Sequence, residues 1–216
     1  MKFIEEVTES TKDIWEKCVE GQFLTELGNG TLSREKFMDY IIQDSIYLRD
    51  YVKAYAMALF KSRTLKEMKA FYSVLGYVND SENVTRLEYL ADYDMTDEDI
   101  EHIEKMPACK EYTDFLMYYA VQEDVPEILM ALMPCMFGYY DVFQLLKKKY
   151  PQVVNSYYGK LVENYTSIEY KESCDYWMEF VNELCENLDS KRKKKLREIY
   201  MESSKQELYF WEMFNY

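Results

Sequence analysis

Apolar residues recur at intervals of three and four along almost the whole chain, the spacing that lays one stripe down an α-helix. Between Phe3 and about Val19 the stripe is Phe3, Val7, Ile14 and Cys18, and a short piece from Gln22 to Leu27 precedes the turn Gly28-Asn29-Gly30. Ser33 caps a long helix to about Lys61, whose inner face carries Phe37, Tyr40, Ile41, Asp44, Tyr47, Leu48, Tyr51 and Tyr55. Thr64 opens a helix to about Val78 that uses Met68, Phe71, Tyr72 and Leu75. Asp80 or Ser81 opens the next, with Val84, Leu87 and Leu90. Thr96 and Asp99 pattern as a capping box for a short acidic helix ending near Pro107, and Lys110 to Val121 presents Tyr112, Phe115, Leu116 and Tyr119.

The second half repeats the rhythm. Asp124 and Pro126 start a helix to about Lys149 that aligns Ile128, Leu132, Cys135 and Tyr139, with Pro134 inside it, where a missing backbone donor kinks the chain. Val153 to Tyr165 places Tyr158, Leu161, Val162 and Tyr165 together; Lys171 to Leu188 aligns Cys174, Trp177, Met178, Val181 and Cys185. Ser190 begins the last helix, whose inner face is Leu196, Tyr200, Ser203, Glu207, Phe210, Trp211 and Phe214. With only 6 Gly and 4 Pro in 216 residues, the reading is an all-α, single-domain helical bundle spanning 1–216. No repeat, linker or low-complexity stretch interrupts it, and the run Lys191-Arg192-Lys193-Lys194-Lys195 reads as a solvated face.

Charge and cysteine usage narrow the setting. A net charge of −14 argues against nucleic acid and anionic membrane as partners. The N-terminus turns charged at once, unlike a signal peptide, and no apolar run is expected to reach the roughly 18 residues a membrane span needs. Five cysteines without C-x-x-C spacing fit reduced thiols in a cytoplasm.

Candidate chemistry comes from polar groups on apolar stripes. Asp44 and Glu207 each occupy a position where the pattern calls for an apolar side chain, and a buried carboxylate needs partners or becomes neutral. Cys135 adds a thiol, with Tyr139 one turn further on. Singly, each fits a core role at least as readily as a functional one. Together, a thiol, two acids and the phenols Tyr47, Tyr51 and Tyr139 suit nucleophilic attack with acid/base assistance in a bundle pocket. Metal and haem chemistry are not expected: His102 is the only histidine, set in an acidic stretch that should be exposed. No phosphate-binding glycine loop and no Ser–His–Asp or Cys–His set is present.

Five segments in order also resemble the TenA / thiaminase II family over nearly the whole length. They are Gly30-Thr31-Leu32 with Phe37, Tyr40 and Gln43-Asp44-Ser45-Ile46-Tyr47-Leu48; Tyr112-Thr113-Asp114-Phe115-Leu116; Leu132-Met133-Pro134-Cys135 with Tyr139; Tyr158 to Tyr165; and Glu207-Leu208-Tyr209-Phe210-Trp211. The resemblance implies a haem-oxygenase-like helical fold without haem or other cofactor, assembled as a homotetramer. It implies an aminopyrimidine hydrolase that releases ammonia to give hydroxymethylpyrimidine for thiamin salvage, and that can cleave thiamin itself. In that pattern Cys135 is the nucleophile and Glu207 the acid/base, flanked by Tyr47 and Tyr165. Asp44 binds the ring nitrogen and amino group, Tyr112 supports it, and Tyr139 helps hold the ring. The chain departs from the family at Leu161 and Phe137, where Trp is common, and at Arg86, where a His often follows the position of Glu82. Two alternatives stay open: a non-catalytic pyrimidine-binding or regulatory protein, and a thiol hydrolase of another amine-bearing heteroaromatic.

Overall fold

Helix after helix follows from the capping and spacing signals, with α-helices, one 3₁₀ turn and no strand among the described residues of this computed structural model, which are 2–77 and 82–216. Two compact units are formed: Met1–Leu32 with Leu129–Tyr216, and Ser33–Ile128.

The first unit begins with α1 (Phe3–Glu9) and α2 (Lys12–Glu20), where one continuous helix was expected. Local hydroxyls make the break. Thr8, Ser10 and Thr11 donate their side-chain protons to the carbonyls of Glu5, Val7 and Thr8, so three hydroxyl residues within four positions compete for helix acceptors around Ser10. The short helix α3 (Gln22–Asn29) ends on Gly30 at φ 82°, a left-handed terminus that costs glycine nothing.

The second unit is built round α4 (Arg34–Lys61), started as expected by Ser33, whose hydroxyl accepts from the Lys36 amide at 3.2 Å. Burial on α4 is wider than a stripe: Gln43 through Tyr47 are all buried, while Leu48 and Tyr51 are half-buried. A helix enclosed on several sides loses its amphipathic signal. Against it lie α5 (Leu65–Tyr77), α6 (Glu82–Ala91) and the four-residue α7 (Asp97–Ile100). The Thr96–Asp99 capping box is present, but α7 stops at Ile100, well short of Pro107. Ala70 and Phe71 are the buried residues of α5, whereas the expected Met68 and Tyr72 are exposed. On α6, Tyr89 and Leu90 are buried, and Val84 and Leu87 are exposed. The expected end at Val78 and start at Asp80 or Ser81 lie outside the described residues. The helix α8 (Pro107–Gln122) turns Cys109, Tyr112, Thr113, Leu116 and Ala120 inward.

Pro134 lies within α9 (Val125–Lys149), whose first turn, to Ile128, belongs to the second unit. One 18-residue stretch of α9 is apolar enough to cross a membrane by length and composition, contrary to expectation, and 67% of it is buried in the protein as a core helix would be. The expected helix from Val153 is instead a 3₁₀ turn (Pro151–Asn155) and α10 (Gly159–Tyr165). A Cβ at Gly159 would stand 2.2 Å from the carbonyl oxygen of Val154, so only glycine permits this tight return. Tyr158, Leu161, Val162 and Tyr165 are nevertheless buried together.

Ser167 caps α11 (Ile168–Cys185) and Asp189 caps α12 (Ser190–Glu212), accepting from the Arg192 amide at 2.8 Å. Every residue expected on the inner face of α12 is buried.

Candidate functional site

Four of the sequence-derived residues belong to the first unit and three to the second. In the first unit Cys135 and Tyr139 lie one turn apart on α9. Cys135 is half-buried, whereas the other four cysteines are buried. Exposure matters because a thiol must reach its electrophile. The buried thiols are also poor nucleophiles. Burial, then the charge of Glu207 and Glu212, pushes Cys18 far up; burial pushes Cys109 up to about 12.

Glu207 sits on α12 with 1% of its surface exposed. One turn before it, the Ser203 hydroxyl donates to the carbonyl oxygen of Ala131 at 2.6 Å. Ala131 stands one turn before Cys135, so this bond ties the helix of the thiol to the helix of the acid. Pro134 lies between, leaving the Met130 carbonyl without its usual helical donor. On the far side of Cys135, the Tyr170 hydroxyl donates to the carbonyl of Met136 at 3.2 Å. Neighbouring helices therefore hold the proline-containing turn of α9 on both flanks.

Aromatic rings pack beside these groups. Tyr139 lies 5.0 Å from Tyr165 and 5.2 Å from Trp211, centroid to centroid, and Phe143 stacks on Tyr165 at 4.9 Å and 14°. Both Tyr139 and Tyr165 are buried. Phe137 and Leu161, where the chain departs from the family pattern, are buried as well.

In the second unit Asp44 precedes Tyr47 by one turn of α4, and the Tyr47 ring lies 4.8 Å from that of Tyr112 on α8. Tyr51 extends the row, 5.6 Å from Tyr47, and its hydroxyl meets that of Tyr55 at 3.3 Å. Asp44 is 7% exposed, and its carboxyl is pushed up to about 7, chiefly by burial, with the Arg86 charge acting in the opposite direction. Arg86 does not touch it: its Nη1 donates to Ser45 Oγ at 2.9 Å. Gln43 supports the entry to α8, accepting from the Met106 amide at 2.8 Å and donating to the Glu104 carbonyl at 3.1 Å.

Some of this escaped the sequence reading. Glu127 is a third buried acid, in the first turn of α9, where a helix N-terminus favours negative charge. Proximity to Pro126 and the helix start was the available signal. Ser45, Ser203 and Tyr170 looked like ordinary helix residues, and their partners are distant in sequence. His102 is exposed, as its acidic setting suggested. No cluster of three or more metal-ligating side chains occurs among the described residues.

An all-helical scaffold with a half-buried thiol on a proline-containing helix, core carboxylates at Asp44, Glu127 and Glu207, and buried tyrosines is the class of protein defined so far. The sequence profile of the TENA/THI-4/PQQC family matches residues 8–215, and the chain belongs to that family. An aminopyrimidine aminohydrolase of Halalkalibacterium halodurans is 29% identical over 213 residues, covering 99% of this chain and 95% of that protein. Another from Helicobacter pylori is 25% identical, covering 95% and 94%. A crystal structure of a TenA homologue from Pyrococcus furiosus superposes with a TM-score of 0.88 at 21% identity, covering 99% of this chain and all of that one. The expected all-α fold, haem-oxygenase-like in architecture, is therefore the fold found.

Proposed function

We propose that this chain, acting as a single domain, is an aminopyrimidine aminohydrolase of thiamin salvage. It would convert 4-amino-5-aminomethyl-2-methylpyrimidine and water to the hydroxymethyl compound and ammonia, and would also cleave thiamin. The observation that carries the reading is full-length similarity to proteins bearing that activity in their names, with the five motifs retained in order.

In this reading Cys135 is the nucleophile. Its thiolate adds to an electron-poor carbon of the pyrimidine while an acid protonates the ring nitrogen. The dearomatised ring then expels the amine from its methylene, and Glu207 supplies the proton that lets ammonia leave. Water adds to the exocyclic carbon, with Glu207 taking its proton, and loss of the thiolate restores the ring. Asp44 pairs with the ring nitrogen and amino group, Tyr112 supports it, and Tyr47 and Tyr165 assist the acid/base role of Glu207. Tyr139 packs on the ring, since a phenol offers both an apolar face and a hydrogen bond. Support for Cys135 is its greater exposure among the five thiols; support for Glu207 is its place on the buried face of α12, one turn from the Ser203 hydroxyl that bonds to the helix of Cys135.

Assembly as a homotetramer in the cytoplasm belongs to the same proposal. Phe60 is 82% exposed, Leu65 74% and Tyr72 73%, a set of large apolar side chains from α4 and α5 that favours covering by another subunit.

The test is chromatographic. Protein is incubated with the aminomethyl pyrimidine and with thiamin, alongside Cys135→Ala and Glu207→Gln. Hydroxymethylpyrimidine from wild type, none from Cys135→Ala, and slow release with binding retained in Glu207→Gln are expected. A Cys135→Ala enzyme with normal turnover would overturn the nucleophile assignment. Binding without product in wild type would favour the regulatory alternative.

A further inference from the structure

Asp44 presents a contradiction that the proposed reaction does not resolve. The residue is more than nine-tenths buried, and no hydrogen bond reaches its carboxyl among the described residues. A buried carboxyl left without donors tends to stay protonated. The single opposing influence is Arg86, and the way Arg86 is fixed is informative. Its guanidinium does not clamp the carboxyl. It donates to Ser45 Oγ at 2.9 Å, and Ser45 in turn spends its own proton on the Ile41 carbonyl at 2.6 Å. The hydroxyl is thus oriented with a lone pair toward Arg86. An arginine in direct contact would fill the acceptor positions that an aminopyrimidine edge requires. Anchored on the adjacent residue, it supplies positive potential and leaves both carboxyl oxygens open.

Beside Arg86, α6 carries the buried Tyr89 phenol and the exposed Glu88, and among the described residues no charge other than Arg86 acts on the carboxyl. From α8 come the Cys109 thiol, held up to about 12 and neutral, and the Tyr112 phenol. Among the described residues, those buried on α5 and α7 are Ala70, Phe71 and Ile100, which do not ionise. Of the other charged groups that act on Cys109, Lys105 and Asp50 are paired with each other at 2.5 Å, and Arg49 is exposed.

We propose that Arg86 is a positioning residue which, through Ser45, keeps Asp44 charged when the site is empty, so that a neutral aminopyrimidine must bring one proton with it on binding. This rests on the assignment of Asp44 to the pyrimidine edge. The chemistry is a two-point match: one carboxyl oxygen accepts from the exocyclic amine, and the other shares a single proton with the ring nitrogen. That proton comes from solvent whenever Asp44 and the ring are both deprotonated beforehand. Arg86 therefore decides the pH at which uptake begins. The same device discriminates among rings. A heteroaromatic lacking a basic nitrogen beside its amine leaves the charged carboxyl half matched.

The experiment is titration calorimetry of the whole protein with the hydroxymethyl pyrimidine, which is not turned over. It is run between about pH 6 and pH 9 in buffers of different ionisation heat, on wild type, Arg86→Gln, Arg86→Lys and Asp44→Asn. Wild type should take up close to one proton at the alkaline end, with affinity falling by about tenfold per pH unit there. Arg86→Gln retains a donor for Ser45 but no charge, and the onset of uptake should move up by about one pH unit. Arg86→Lys should move it back, and Asp44→Asn should abolish uptake. The ring's own titration is common to all four and cancels between them. No proton uptake by wild type at about pH 8.5 would overturn the inference without recourse to any variant, as would an Arg86→Gln profile coincident with wild type. If wild type binds and hydrolyses but the profiles coincide, only this inference falls. If wild type does not bind the pyrimidine, the functional reading falls with it.

Discussion

Gly138 stands one residue before Tyr139 and three after Cys135, inside α9, where glycine has no conformational purpose. Replacing it with alanine sets two calculable effects against each other. Helix propensity favours alanine by about 1 kcal/mol. Sterically, the new Cβ would stand 2.5, 2.7 and 2.8 Å from three atoms of the benzo ring of Trp15 on α2. Carbon atoms pack at about 3.5–4.0 Å, so the indole or α9 must retreat by about 1 Å. Trp15 is fully buried, and no acceptor reaches its Nε1 among the described residues, so resistance comes from packing alone. Overpacking of this kind costs about 1–3 kcal/mol, and a rigid indole in a closed core belongs in the upper part of that range. The net expectation for Gly138→Ala is a loss of about 1–2 kcal/mol, or about 3–6 °C in Tm for a chain of this size. Urea denaturation should move the midpoint at constant slope. The Trp15→Leu background removes the three clashing atoms, and there Gly138→Ala should become neutral or stabilising, a change of sign that a double-mutant cycle reads directly. A Tm that rises in the wild-type background, or a penalty that persists with Leu at position 15, would refute the argument.

Brief treatment of the native protein with iodoacetamide followed by peptide mass spectrometry should find Cys135 alkylated first, because the other four thiols are buried; earlier labelling of Cys18 or Cys109 would contradict the burial. Ser203→Ala removes a buried 2.6 Å hydrogen bond and should lower stability by about 1 kcal/mol, measured by urea denaturation, with turnover reduced more than substrate affinity because the bond links the helices of Cys135 and Glu207. Asp141 is raised to about 6, chiefly by burial, with Lys12 opposing and Glu9 adding to the rise. A carboxyl raised in the folded state opposes folding increasingly as pH climbs from its unfolded value to its folded one, so Asp141→Asn should stabilise by about 1–2 kcal/mol above pH 6 and not near pH 4. Equal gains at both pH values would show that charge burial is not the cause.

What could be read from the sequence was whatever depends on neighbours within a turn. Ser33 and the Thr96–Asp99 box mark helix starts by their own side chains, and α12 shows its full inner face because only one side of it is apolar. The reading failed where two sides of a helix are apolar. On α5 the pair Ala70–Phe71 faces inward while Met68 and Tyr72 face out, and periodicity cannot rank two competing stripes. It failed again at Ser10–Thr11, where hydroxyls end a helix whose apolar spacing continues. Close approaches were invisible: nothing near Gly28 in the chain announces that the Tyr150 ring lies 2.2 Å from where its Cβ would be. At the candidate site the residue types were legible as polar exceptions on apolar stripes. Their supports were not, since Ser45–Arg86 and Ser203–Ala131 join residues 41 and 72 positions apart.

Those supports separate two kinds of buried polar group. Ser45, Ser203, Thr113, Gln43 and Tyr158 all make hydrogen bonds inside the protein, so their burial costs little and they act as scaffold. Among the described residues no partner reaches the one neutral donor of Tyr200 or of Trp15, a loss that the apolar area of a large ring outweighs. Asp44 fits neither case. A carboxyl has little apolar surface to offset its desolvation, and an apolar or amide side chain at that position of α4 would pack at lower cost. Its retention without a donor among the described residues, beside a cation held one residue away, is explained if the partner is a ligand with a donor edge. Substitution by Asn should then strengthen the fold at neutral and alkaline pH while weakening pyrimidine binding, the opposite signs expected of a residue kept for chemistry rather than for stability.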